Sequence, residues 1–177
     1  MALENPQSAD HIAGEQGSFE PQRMNNFSVE IPLGDADRDL IEMGLKGFSL
    51  PSATNEIITV NYQNETRKVA GQVNVEEGNL ALHDFVDADV RGAILRWRQL
   101  VYQVRTGNIG YAKDYKKTLN VLLKGPDGQK IRIAKLIGTW PTQDPPADLD
   151  MESPDKLLME VPLSVDKIDW SDSIDGL

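Results

Sequence analysis

Residues 90–104 read VRGAILRWRQLVYQV, and this stretch decides the fold. Its apolar residues recur at spacings of four, three, four and three, which places them on one face of an α-helix. They are Val90, Ile94, Trp97, Val101 and Val104. The sequence on both sides alternates apolar and polar residues as β-strands do, so the order is strands, one helix and more strands. This order excludes a doubly wound nucleotide-binding fold, which needs a helix after nearly every strand.

The predicted helix has start and stop signals, and we expect it to cover residues 87–105. Three acidic residues precede the first apolar repeat, where a carboxylate caps a helix and complements its dipole. They are Asp84, Asp87 and Asp89. Gly107 and Gly110 follow the last turn and tolerate left-handed backbone. The acids and the neighbouring His83 are also residue types that bind metals, but capping is the favoured interpretation because acids gather before helices for that reason alone.

The flanking sequence predicts seven or eight strands. Their expected ranges are 27–33, 45–50, 56–62, 67–75, 78–83, 118–124, 129–139 and a long last strand from 157 to 165 that continues through Ile168 and Trp170. Turn residues at 63–66 and 125–128 predict two hairpins. Residues 35–42 are acidic and have room for one helical turn. Strands of period two in this number pack as two antiparallel sheets or a half-open barrel, so the predicted class is mainly β with one helix.

We expect one structured domain, residues 24–170, between two polar ends. Residues 1–23 lack any periodicity and are predicted to be an arm that is disordered alone, and residues 171–177 form an acidic tail. Within the domain, the hairpin at 55–70 is unusually polar, so it has little reason to stay on its own core. The first and last strands lack charges that would block their edges, and exposed edges of this kind invite pairing with another copy.

Composition and charge limit the possible classes of protein. The chain has 177 residues and no cysteine, which excludes disulfides and thiolate chemistry and fits a cytosolic origin. Residues 1–17 contain no apolar run, so we expect neither a signal peptide nor a membrane anchor. The net charge of −10 is uneven. Residues 91–135 hold eleven basic and two acidic residues, a net +9, and residues 144–177 hold two basic and ten acidic residues, a net −8. These segments can pair within the fold or between copies.

Arrangements for catalysis or cofactor binding are scarce. The two histidines, His11 and His83, come without a Gly-x-Ser-x-Gly motif, and no glycine-rich loop opens a helix. The basic run could contact nucleic acid, but the acidic chain as a whole opposes this. We therefore expect no enzyme activity, no cofactor and no metal. Trp97 is predicted to lie in the core, whereas Trp140 and Trp170 are near strand ends and are expected in core, half-buried or interface positions.

The order of these motifs resembles that of the tail tube proteins of contractile-tailed bacteriophages. The resemblance covers residues 24–170 and rests on the following stretches. They are FSVEI (27–31), GL (44–45) through Pro51, the polar hairpin 57–69, LRW (95–97), YKK (115–117), GTWP (138–141) and LSVD (163–166). The resemblance implies two antiparallel sheets plus a helix, with six copies in a ring whose inner wall is a continuous β-barrel, and rings stacked into a hollow tube.

The resemblance also implies a function and partners. The chain would be a structural virion protein of the phage tail, assembled in the host cytoplasm, that lets viral DNA pass without specific binding. Its partners would be other copies, the tail sheath, the baseplate and the tail terminator, with no membrane binding. The tip of the polar hairpin would stack rings through Asn61, Tyr62, Gln63, Asn64, Glu65, Thr66 and Arg67. The alternatives are a type VI secretion or other contractile-injection tube protein, a tube initiator or terminator, and a monomeric β-sandwich binding module.

Overall fold

The structure is a computed structural model that describes residues 22–146, 149–152 and 154–171. The expected arm and acidic tail lie almost wholly outside these residues. The strands are β1 (Phe27–Glu30), β2 (Leu45–Ser49), β3 (Ala53–Tyr62), β4 (Glu65–Val75), β5 (Gly78–His83), β6 (Tyr102–Gln103), β7 (Asn108–Ile109), β8 (Lys117–Lys124), β9 (Lys130–Pro141), β10 (Leu158–Ser164) and β11 (Lys167–Ser171). The helices are α1 (Asp35–Gly44), α2 (Val90–Val101) and α3 (Ala112–Tyr115). The mainly β class is confirmed.

Seven strands form one antiparallel sheet with two halves. The strand order is β1-β8-β9-β10-β5-β2, and β11 also pairs with β9. The first part of β9 lies between β8 and β11, whereas its end pairs with β10 through Trp140 and Pro141. The strand therefore belongs to both halves, which correspond to the two expected sheets. The sheet is open, because β1 and β2 form its two ends and do not pair with each other.

The crossing of β9 between the halves depends on Gly138. Its φ of 72° is in the left-handed region that favours glycine. The backbone N–H of Asp166 donates to the carbonyl of Ile137 beside it, at 3.0 Å. This contact also separates β10 from β11, so the expected single last strand is wrong. It is two strands, one in each half of the sheet.

Helix α2 packs its apolar stripe into the core that both halves share. Val90, Ile94, Trp97 and Val101 are buried, and the indole N–H of Trp97 donates to the carbonyl of Tyr115 at 2.8 Å. The core position of Trp97 is confirmed. The helix is shorter than the predicted 87–105, because the backbone becomes extended at Tyr102 and leaves Val104 76% exposed. The rest of the core comes from Val29, Ile31, Ile41, Leu80, Leu82, Ala93, Leu119, Val121, Ala134, Leu136, Met159, Val161, Leu163 and Val165.

Helix α1 replaces the single turn predicted at 35–42. It has ten residues and buries Ile41 and Gly44, and Asp37 on its first turn bonds Arg96 of α2. The hydrogen bond with Asp37, opposed in part by desolvation, raises the pKa of Arg96 above its ordinary value. Within the described ranges, no helix is long and apolar enough to cross a membrane.

Candidate assembly surface

The hairpin of β3 and β4 projects from the domain as a two-stranded ribbon. Ten residues in β3 give a length of roughly 33 Å. All of β3 and most of β4 are exposed. The ribbon is attached at its base, where Val75 packs against the core and the Ser52 hydroxyl donates to a carboxylate oxygen of Glu76 at 2.6 Å. The predicted hairpin is confirmed, with a turn of two residues, Gln63 and Asn64, where four were expected.

The outer part of the hairpin has one apolar and one polar face. Cross-strand pairing joins Ile58 with Val69, Val60 with Arg67 and Tyr62 with Glu65, so these six side chains share one face. We call this the apolar face. Its four hydrophobic side chains are 48% to 66% exposed, in line with the expectation that this polar hairpin does not stay on its own core. The opposite face carries Thr59, Asn61, Thr66 and Lys68, and Ile57, which is 64% exposed, follows them toward the base of the hairpin. An exposed hydrophobic row of this kind marks a surface that a partner covers.

The seven residues predicted to stack rings lie together at the tip of this hairpin. Asn61 and Thr66 pair across the strands, and the Thr66 hydroxyl donates to Oδ1 of Asn61 at 3.2 Å. Gln63 has a φ of 53°, so the turn is tight. Glu65 and Arg67 form no ion pair with any residue that the structure describes. The tip therefore offers two charges of opposite sign beside the apolar face.

An open groove separates the two ends of the sheet. It has a volume of about 350 Å³ and is lined by β1, the end of α1 and the start of β2. Its lining residues are Asn25, Phe27, Ser28, Val29, Glu42, Leu45 and Lys46. The Lys124 N–H donates to the carbonyl of Asn26 at 2.8 Å, so alternation along an antiparallel pair directs the backbone of Phe27 and Val29 away from β8. The groove thus lies beside a free strand edge.

The basic and acidic segments pair in part within the fold. Arg98 lies 3.6 Å from Asp144, and Lys116 lies 2.6 Å from Asp166. Both pairs join the segment of net charge +9 to the segment of net charge −8. The other basic side chains of the segment include Arg105, Lys113, Lys124 and Lys135, which form no ion pair with any residue in the described ranges. Ion pairs among the described residues therefore neutralise only part of the basic segment.

Two of the three acidic residues before α2 contact this helix, one as its N-cap and one in an ion pair. Asp89 is the N-cap, and its carboxylate accepts from the Gly92 N–H at 2.9 Å and contacts Arg96 at 3.2 Å. Asp84 pairs with Arg91 at 3.4 Å. Within the described part of the chain, no three His, Asp or Glu side chains are arranged to hold a metal ion. The predicted cap is confirmed at Asp89.

Loss of the cap has a measurable consequence. Replacing Asp89 by Ala removes the cap and one contact of Arg96, and we expect the free energy of unfolding to fall by about 1 kcal/mol in urea titrations. Asp87→Ala is the matched control, because Asp87 is exposed and has no partner in the described residues. Its effect should stay within about 0.5 kcal/mol. An equal loss in both variants would refute the capping role.

Two features were missed or left open by the sequence. The two glycines that were expected to end the helix belong instead to a small hairpin of β6 and β7, beside which Val104, Ile109 and Tyr111 are 76% to 78% exposed. The alternation of Tyr102 with Val104 is the one sequence feature that indicates this small hairpin. Trp140 is half-buried and contacts Tyr115 edge to face at 5.6 Å between ring centres, and Trp170 is 52% exposed.

Comparison with known proteins defines the class of fold. No protein-family model and no curated protein matches the sequence. A chain of the PVC sheath–tube complex, an extracellular contractile injection system in its extended state, matches with a TM-score of 0.67 and 17% identity over 94% of this chain and 99% of that chain. A chain of the anti-feeding prophage tube-terminating cap matches with a TM-score of 0.69 and 16% identity over 91% and 97% of the two chains. The SPP1 tail tube matches with a TM-score of 0.51 and 12% identity over 88% and 81%.

The fold is therefore the tail-tube fold. It occurs in phage tail tubes and in contractile injection systems. The first two likenesses cover more than nine tenths of both chains. The expected resemblance to tail tube proteins is confirmed at the level of the fold.

Proposed function

We propose that this chain is a structural subunit of a hollow tube in a contractile tail or injection machine, and that it works only as a polymer. The observation that carries the proposal is the long hairpin whose apolar face no part of the described chain covers. The tail-tube fold supports it, because chains of this fold occur in a sheath–tube complex and a tail tube. The role is structural and needs neither a catalytic group nor a cofactor.

The arrangement that we propose is a ring of six copies with rings stacked along the tube axis. Residues 24–170 form the body of each subunit, residues 1–23 an arm toward a neighbour and residues 171–177 an acidic tail. Strand edges that are free in the monomer pair between neighbours in the ring, which completes a continuous inner barrel. The hairpin tip, Asn61 to Arg67, contacts the adjacent ring. Unlike surfaces that meet head to tail propagate without closing, which produces a filament.

We propose viral DNA as the cargo and a phage tail as the particle, assembled in the host cytoplasm. Six copies, each with a net charge of −10, give a ring a net charge of roughly −60. An acidic wall repels phosphates, so DNA slides through without specific binding. The further partners are a sheath, a baseplate and a terminator, in line with the sheath–tube, baseplate and terminator assemblies that contain chains of this fold. A secretion-type tube with protein cargo has the same subunit architecture.

Assembly state tests the proposal. Purified protein should change from the 19.6 kDa monomer to rings or hollow rods as its concentration rises, observed by mass photometry and negative-stain electron microscopy. A monomer at every concentration up to the millimolar range, with no rods in the electron microscope, would refute the tube and favour a monomeric binding module.

A second candidate role is that of the tube terminator. The likeness to a chain of a tube-terminating cap, with a TM-score of 0.69, is as good as that to the sheath–tube chain. A terminator would stop at single rings, whereas a tube protein continues into rods of variable length. The same electron micrographs therefore separate the two roles.

A further inference from the structure

We propose that the apolar face of the hairpin docks into the groove between β1 and β2 of a neighbouring copy, with Arg67 facing Glu42 and Glu65 facing Lys46. This inference rests on the proposed self-assembly and assigns its contact residues. It restricts the contact at the tip to the side chains on the apolar face and extends it along that face to Val60.

The two surfaces match in their apolar parts. The hairpin presents Val60 and Tyr62, which are 48% and 66% exposed. The groove has the partly buried Phe27 and Leu45 as its accessible apolar lining and a volume of about 350 Å³, enough for one or two side chains. Both surfaces are open in the same molecule, so the hairpin does not cover its own groove. A second copy supplies the complementary surface for each.

The surfaces also match in charge. The groove has one acid, Glu42, and one base, Lys46, and both are exposed. The hairpin has one acid, Glu65, and one base, Arg67, on the apolar face. None of the four has an ion-pair partner among the residues that the structure describes. Docking pairs each base with an acid, and the opposite orientation would bring like charges together.

The negative charge of Glu42 is unfavourable at its position in helix α1. It lies in the last turn of α1, which has no basic residue there. A negative charge near a helix C-terminus is unfavourable, since it repels the partial charge of the unpaired carbonyls. A residue that breaks a local rule without compensation inside the fold indicates a role outside it. Pairing with Arg67 of another copy is such a role.

A contact between unlike surfaces also fits a tube. Each copy has one hairpin and one groove at different places on the domain, so each copy binds two neighbours. Heterologous contacts of this kind close into rings or continue as filaments, depending on the rotation between copies. The apolar match provides attraction and the charges fix the register.

Charge reversal tests the inference. Glu42→Arg and Arg67→Glu should each raise the concentration at which half of the protein is assembled at least tenfold, measured by light scattering with mass photometry. The double variant Glu42→Arg, Arg67→Glu should return this concentration to within about threefold of that of the unaltered chain, because the pair is restored with its signs exchanged. Lys46→Glu with Glu65→Lys provides an independent cycle.

Controls separate pairing from folding and from the proposed function. Glu42→Arg favours the α1 dipole, so its monomer should melt no lower than that of the unaltered chain. Glu77→Arg combined with Arg67→Glu is the matched control, and because Glu77 is an exposed acid outside the groove it should restore nothing. If the single reversals assemble normally, or the double variant is no better than either, the groove is not the docking site although the tube proposal stands. If the unaltered chain stays monomeric, both proposals fail.

Discussion

Replacing Ile58, Val60 and Tyr62 by threonine is expected to raise the concentration needed for half-assembly more than 100-fold. These side chains lie on the apolar face and are about half exposed in the monomer. Covering the exposed half of each contributes about 1 kcal/mol, hence about 3 kcal/mol for the three, and each 1.4 kcal/mol corresponds to about a factor of ten. Threonine retains a high strand propensity, so the hairpin itself should persist.

The matched control lies on the opposite face of the same hairpin. Thr59→Ser, Lys68→Gln and Ala70→Ser alter the opposite face outside the tip residues 61–67, and we expect the assembly concentration to change by less than about threefold. Both triple variants should give the circular dichroism spectrum and melting temperature of the unaltered monomer, since neither face contacts the core. Equal losses of assembly in the two variants would show that the apolar face has no special role.

The sequence predicted the elements whose pattern is local. The apolar face of α2 could be predicted because Val90, Ile94 and Trp97 recur at helical spacing. The exposure of the hairpin could be predicted because its strands hold too few hydrophobic residues for two buried faces. Helix α1 was underestimated because its acidic first turn hid the spacing that buries Ile41 and Gly44. The end of α2 was set too late because Val104 continued the stripe beyond the point where the backbone becomes extended.

Features that depend on distant residues could not be predicted. The groove forms only when the ends of the sheet approach, which brings Phe27 near Leu45 and Lys46. Likewise, the end of β10 is marked in the sequence only by a shift of the apolar residues from odd positions, which end at Val165, to even positions, which begin at Ile168. The contact of Asp166 with Ile137, which lies far away in the sequence, sets the change of direction there. The tip residues lie together because they follow one another in one hairpin, and their role in stacking stays a prediction. The sequence could not show that Glu42 and Lys46 lie in the groove to which we propose that this hairpin docks.

A methyl group added at Gly138, where β9 passes between the two halves of the sheet, should destabilise the domain. Gly138→Ala is expected to lower the free energy of unfolding by about 2–4 kcal/mol, or the melting temperature by roughly 5–15 °C. The φ of 72° contributes about 1 kcal/mol, because an L side chain strains this backbone. The remainder arises because the added Cβ would overlap the carboxylate of Asp166, which holds Lys116 at 2.6 Å.

Gly128→Ala isolates the backbone contribution, since Gly128 has a φ of 74° and a Cβ added there would meet no atom within 4 Å beyond its chain neighbours. Asp166→Ala isolates the loss of the ion pair, which should be below about 1 kcal/mol because both partners are partly exposed. If the loss of unfolding free energy for Gly138→Ala in urea titrations exceeds the summed losses of these two controls, the excess measures the displacement of the β10–β11 connection from β9. If the loss for Gly138→Ala only equals the loss for Gly128→Ala, the two halves of the sheet are not joined through a close contact at Gly138.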